Sequence, residues 1–153
     1  MIGAPSRFLA TLAFVAAPSI AAAQAPWRQI YQDSDVRVLL DTASAKLSSP
    51  GTWTTVTSWD YSRPRILENK KSYTRLVQRV HVRCAPVRVK RVRSTVYAQN
   101  NVMVRDEGEV DARDQSAMNW DRPRRATAAA KAFDQVCAVV TRKGRARAAK
   151  PAT

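Results

Sequence analysis

Along residues 72–84 (SYTRLVQRVHVRC) the apolar and polar positions alternate. Leu76, Val80, Val82 and Cys84 fall on even numbers, and Arg75, Arg79, His81 and Arg83 on odd ones. A period of two predicts a strand with one apolar face and one cationic face. Val77 and Gln78 interrupt the pattern, and Ala85-Pro86 ends it, because proline has no N–H to give a central ladder. Beyond the proline, Val87 and Val89 share one parity, whereas Val92 and Val96 have the other. One extra residue near Lys90-Arg91, a β-bulge, would absorb that slip.

Upstream, residues 27–32 and 36–41 are short strand-like runs separated by Asp33-Ser34-Asp35, and together they predict a hairpin. Ser48-Ser49-Pro50-Gly51 marks a turn into residues 52–61 (TWTTVTSWDY), rich in the threonine and aromatics that strands favour. The polar run 63–71 (RPRILENKK) predicts a loop. Asn100-Asn101 predicts a tight turn into Val102-Met103-Val104. Residues 105–114 (RDEGEVDARD) are acid-rich but match no calcium-loop spacing, which predicts a solvated loop facing the basic sheet. In the last segment the periodicity changes. Ala129, Ala132, Phe133, Val136, Cys137 and Val140 form a single helical stripe.

The amino-terminal end has a different character. Arg7 precedes an apolar run from Phe8 to Ala17, Pro18 breaks it, and Ala21-Ala22-Ala23 stands before Gln24. This predicts a cleaved secretory signal over 1–23. The run is too short to span a bilayer, which takes roughly 20 apolar residues. Without that signal the chain keeps about 130 residues, enough for one domain with one core. Residues 24–141 are read as that domain, and 142–153 (RKGRARAAKPAT), basic and without acid, as a disordered tail.

The predicted export changes the meaning of the charge. The chain has 26 Lys+Arg against 12 Asp+Glu, a formal net charge of +14. Outside the cytoplasm, the abundant anions are lipopolysaccharide phosphates, acidic lipids, sulfated glycans and released nucleic acid, so attraction to polyanions is expected without sequence-specific nucleic-acid reading. The bland alternative is a basic domain, the product of an alanine- and arginine-rich composition, that has no polyanion ligand. Export also bears on the two cysteines, Cys84 and Cys137, because an even count in an oxidising compartment points to a bridge. Both lie on apolar faces, one on a strand and one on the helical stripe. That agrees with a helix packed on a sheet and bolted to it, a tie worth about 4 kcal/mol in the chain-entropy treatment. Two thiols and the single histidine supply too few ligands for a zinc site.

Catalytic chemistry has little support. His81 sits between Arg79 and Arg83 with no nucleophile or carboxylate set beside it by any motif, and no phosphate loop, nucleophile elbow or metal cluster appears. No enzyme activity and no cofactor are expected. Trp27, Trp53, Trp59 and Trp120 are candidates for a stacking platform, with core or sheet-edge packing as the default. Trp53 and Trp59 share a strand face with Thr55 and Thr57 between them. The candidate anion- and partner-binding residues are Arg75, Arg79, Arg83, Arg88, Lys90, Arg91 and Arg93, a grid of donors suited to sulfate or phosphate. The competing reading is a solvated face neutralised in part by Asp106, Glu107, Glu109 and Asp111.

The order of signals, namely Trp27 opening a strand, Asp41 ending the next, Ser72-Tyr73, Cys84, a basic strand to Tyr97, then Trp120, Pro123 and Cys137, resembles the surface-adhesin protein E family of bacterial envelope proteins. The resemblance covers residues 27–138. It implies an α+β fold, with an antiparallel sheet of about six strands, a C-terminal helix packed on one face and one intrachain disulfide, Cys84–Cys137. It implies a non-enzymatic surface adhesin that contacts host matrix or serum glycoproteins, with a homodimer as a candidate assembly. The helix start departs from the family's Pro-Gly-Ser, since Pro123 is followed by Arg124-Arg125, leaving Ala126-Thr127 to begin the helix. The leader has no cysteine for lipid attachment, so periplasmic and secreted forms stand beside display on the outer surface. The alternative function is a soluble periplasmic, envelope-associated protein held near anionic lipopolysaccharide.

Overall fold

The computed structural model describes residues 27–111, 114–115 and 119–148. The expected signal segment, 1–23, and the last residues of the expected tail, 149–153, lie outside them.

Six strands follow one another in chain order and pair antiparallel with their sequence neighbours: β1 (Trp27–Gln32), β2 (Val36–Ser49), β3 (Thr52–Ile66), β4 (Ser72–Cys84), β5 (Val87–Tyr97) and β6 (Met103–Glu109). One helix, α1 (Ala128–Ala148), packs across β1, β2, β4 and β5. The architecture is α+β, as the sequence implies.

Alternation builds the sheet. In β2, Val36, Val38 and Leu40 are buried while Arg37 is exposed; in β4, Val80 and Val82 are fully buried. These residues face α1, whose stripe Ala132, Phe133, Val136, Cys137 and Val140 is buried against them. Burying a valine, leucine or phenylalanine contributes roughly 1.5–3 kcal/mol each, so this single interface holds most of the apolar stabilisation of the domain. Trp53 and Trp59 lie on the same core side, separated by the fully buried Thr55 and Thr57. The Thr57 hydroxyl accepts the Trp59 indole N–H at 3.1 Å, so the buried donor is satisfied. Trp59 meets Phe133 of α1 at 5.9 Å between ring centroids.

Cys84 and Cys137 are bonded, with 5.5 Å between their Cα atoms. The bridge joins the end of β4 to the middle of α1. Thr127 caps the helix, its hydroxyl accepting the Ala130 N–H at 3.2 Å, three residues on. Ala126 before it has a left-handed φ of 63°.

The β4–β5 register slips once, between the pairs Arg79↔Arg93 and Val80↔Arg91. Val92 is the extra residue, so the bulge falls where the valine parity predicted it. The β5–β6 link contains Asn100 and Asn101, both with left-handed φ, as expected of a tight turn.

Three stretches differ from the expectation. Residues 63–66, read as loop, continue β3 to Ile66. Residues 105–109, also read as loop, form most of β6. Its charged side chains hide the strand signal, and such charges suit an edge strand because they oppose pairing with another sheet. Gly108, at φ 70°, supplies the left-handed residue where the β5–β6 register slips. Finally, α1 runs on to Ala148, into the segment read as a disordered tail. Two local contacts carry it there. Lys143 donates to the carbonyls of Thr42 (2.7 Å) and Ala45 (3.0 Å). Gly144 lies so close to Trp53 that a Cβ there would stand 3.1 Å from the indole ring.

Candidate functional site

The face of the sheet turned away from α1 is set by the odd positions of β4. Arg75, Arg79, His81 and Arg83 stand directly opposite Tyr97, Arg93, Lys90 and Arg88 of β5. Like charges placed opposite one another across a strand pair destabilise it. Arg79–Arg93 and Arg83–Arg88 are such pairs and need something to offset the repulsion, while Lys90 stands opposite His81; the three are met in different ways.

Arg79 and Arg93 are neutralised by the edge strand. Arg79 pairs with Glu109 at 2.7 Å and Arg93 with Asp106 at 2.7 Å. Asp106 also accepts the Gly108 N–H (2.9 Å) and the Thr95 hydroxyl (3.1 Å). The hydrogen bond from Arg93, then that from Gly108, lowers the Asp106 pKa from 3.8 to about 2. The other two acids expected to share this task do not reach the cations. Glu107 contacts Arg105 and Ser94, and Asp111 accepts the Asp114 N–H at 2.9 Å.

His81 and Lys90 are covered by the segment after β6. Asp121 joins the free edge of β5 through two backbone hydrogen bonds to Val89, each 2.9 Å. This holds Trp120 over the cationic face, and Gln115, tied by its backbone N–H to the Asp111 carbonyl, lies there too. Lys90, only 7% exposed, donates to the Gln115 carbonyl at 2.7 Å. Both nitrogens of His81 are occupied, Nε2 by Gln115 Oε1 (3.1 Å) and Nδ1 by the Thr54 hydroxyl (2.8 Å).

Neither Arg83 nor Arg88 forms an ion pair with an acid among the described residues. Arg83 lies over the Trp120 ring, 4.2 Å from its centroid, and donates to the Thr52 hydroxyl at 3.3 Å. Lys90 approaches the same ring at 5.0 Å. The Arg88 side chain makes no ion pair or hydrogen bond with another described residue. Beside them is an open cleft of about 310 Å³ whose lining includes Ser48, Ser49, Thr52, Arg83, Lys90 and Trp120. Hydroxyls, a guanidinium and an ammonium together offer donors to sulfate, phosphate or carboxylate oxygens. At the other end of the face, Arg75 stacks over Tyr97 at 4.8 Å, and its Nε is buried without a partner.

Of the seven candidate cations, six share this face. Arg91 stands apart. It is paired with Val80, on the side of α1, and lines a separate cavity with Trp59 and Phe133. Adjacent residues of a strand point to opposite faces, so Lys90 and Arg91 cannot both join one grid. Among the four tryptophans, Trp53 and Trp59 belong to the core and Trp27 is exposed; Trp120 alone meets the cations. No local pattern in the sequence signals that partnership, because it joins positions far apart along the chain.

Among the described residues no three His, Cys, Asp or Glu side chains are grouped to hold a metal ion. No helix among them is long and apolar enough to cross a membrane. No curated protein and no solved structure matches the chain. The sequence profile of the family described as Surface-adhesin protein E matches residues 27–138, from the first residue of β1 to just past the disulfide in α1. With the matched stretch covering most of the 153 residues and the whole sheet, the chain belongs to the surface-adhesin protein E family.

Proposed function

We propose that this protein is an exported, non-enzymatic binding module of the bacterial cell envelope that engages anionic polymers, such as sulfated or phosphorylated glycans of host or envelope macromolecules, through the Arg83–Arg88 end of its cationic sheet face. Family membership supports adhesion as the general role. One observation carries the finer reading. Arg79 and Arg93 each have an acid at 2.7 Å, whereas the equally opposed Arg83 and Arg88 have none among the described residues. A partner anion would offset that repulsion as Asp106 and Glu109 do farther along the face. Hydroxyls of Ser48 and Thr52 and the ring of Trp120 beside these cations suit a sulfated or phosphorylated sugar, which has both anionic and weakly polar surfaces.

Binding of heparin and of lipopolysaccharide micelles tests this reading, with Arg88→Glu as the variant, because Arg88 supports no other described residue. The expected result is affinity at least about tenfold weaker for the variant, as loss and reversal of one phosphate-type contact imply. Unchanged affinity contradicts the proposal. Compartment is a separate question. The periplasmic alternative is distinguished by fractionation with protease shaving, in which digestion on intact cells supports surface adhesion and full protection supports the envelope-associated form.

A further inference from the structure

The opposite side of the sheet holds a second feature with its own chemistry. Between β3, β5, the 119–123 segment and the start of α1 is a cavity of about 390 Å³. This lies within the roughly 300–1,000 Å³ typical of ligand sites. Trp59 and Phe133 contribute to its floor and are 7% and 5% exposed, with Val89 and Ala129 beside them. The rim is polar: Gln78, Arg91, Asn119 and Asp121. None of these four side chains makes a hydrogen bond or ion pair with another described residue. The Asp121 backbone is nevertheless fixed by its two bonds to Val89. The rim is therefore held in place while its side chains are left open to an incoming group. The bulge at Val92 helps build it, since without that extra residue Arg91 would not face α1.

We propose that this cavity accepts an aromatic side chain presented by a protein partner. An apolar floor beneath a rim bearing one cation and one anion matches a neutral, largely apolar group. Arg91 can lie over an inserted ring, an attraction that grows as the ring leaves water. The amides of Gln78 and Asn119 are matched in donors and acceptors to the peptide groups flanking such a residue. A pyranose fits less well, because it needs an exposed aromatic face to stack on, and the floor rings are almost wholly covered. Deep aromatic anchors surrounded by polar rims are the usual centres of protein–protein affinity. The site lies on the face opposite the cationic one, so it stands or falls independently of anion binding.

The probe is N-acetyl-L-phenylalaninamide, titrated into the ¹⁵N-labelled protein, with N-acetyl-L-alaninamide and lactose as comparisons. Saturating shifts are expected at the Trp59 indole N–H and the side-chain amides of Gln78 and Asn119. The Kd should be on the order of 1 mM, the scale for a ligand of about 15 non-hydrogen atoms. Ala129→Leu, which fills the floor, should weaken binding at least about tenfold, the effect of occupying an anchor pocket. Arg91→Ala, which removes an exposed and unpartnered side chain, should weaken it roughly threefold. The Arg91 variant keeps the test decisive even should Ala129→Leu not fold. Absence of shifts at these groups, or an affinity unchanged in Arg91→Ala, overturns the proposal. Shifts at the same groups with lactose in place of the phenylalanine probe overturn it in favour of a glycan.

Discussion

Removing the covalent tie between β4 and α1 is the sharpest perturbation of the fold. Cys84 and Cys137 are 53 residues apart in sequence. For a loop of that size, the chain-entropy relation gives a loss of about 4 kcal/mol when both are replaced by alanine, most of it through a freer unfolded chain. The native state should survive. Val136 and Val140, fully buried on either side of the bridge, keep α1 on the sheet without help from the sulfurs. Loss of the two sulfurs from the packed interface adds under about 1 kcal/mol. In a domain of this size, such a change lowers Tm by roughly 12–20 °C. The assay is thermal unfolding followed by far-UV circular dichroism for the parent protein, the Cys84→Ala/Cys137→Ala variant and the parent under reducing conditions. The last two should agree. The reasoning is refuted by a decrease below about 1 kcal/mol, far less than the loop-closure value. It is refuted equally by loss of the native spectrum at low temperature, which would mean that packing alone does not hold α1.

Leu40→Ala removes a fully buried side chain at the centre of the α1-facing side and should cost about 3 kcal/mol; a lower urea midpoint with an unchanged m-value would show that stability alone has changed. Thr127→Ala should cost about 1 kcal/mol by leaving the Ala130 N–H uncapped, whereas Thr127→Ser should be close to neutral. The Asp106 carboxyl, lowered from 3.8 to about 2 by Arg93 and Gly108, contributes stability that is fully present above pH 4 and lost as pH falls toward 2. Asp106→Asn should therefore flatten the stability profile over that window, as measured by urea unfolding at successive pH values, and leave the slope above pH 5 unchanged.

Much of the fold can be read from alternation alone. The parity change between Val89 and Val92 locates the bulge, although Val92, the extra residue, lies beside Arg79 and His81 and not in the core under α1. The stripe from Ala129 to Val140 likewise fixes the side of α1 that is buried. What alternation does not reveal is β6. Its residues 105–109 are nearly all charged, and an edge strand on the solvated side needs no apolar period. The extension of α1 past 141 rests on close approach at Gly144 and on the reach of Lys143, neither of which has a periodic signature. The cationic face is visible in the sequence as a set of arginines but not as an electrostatic balance. Which cations are neutralised depends on the β5–β6 register, and which face Arg91 takes depends on the bulge.

The central claim is that acids of β6 satisfy one part of the cationic face and leave Arg83 and Arg88 for a partner's anions. Its most direct measurement is the salt dependence of heparin affinity for the parent protein, for Arg83→Gln/Arg88→Gln and for Arg79→Gln/Arg93→Gln. The slope of log K against log salt should become shallower by about 2 in the first variant, at roughly 0.9 per lost contact, and by less than about 0.5 in the second. Equal changes in the two variants, or no change in the first, would contradict the account.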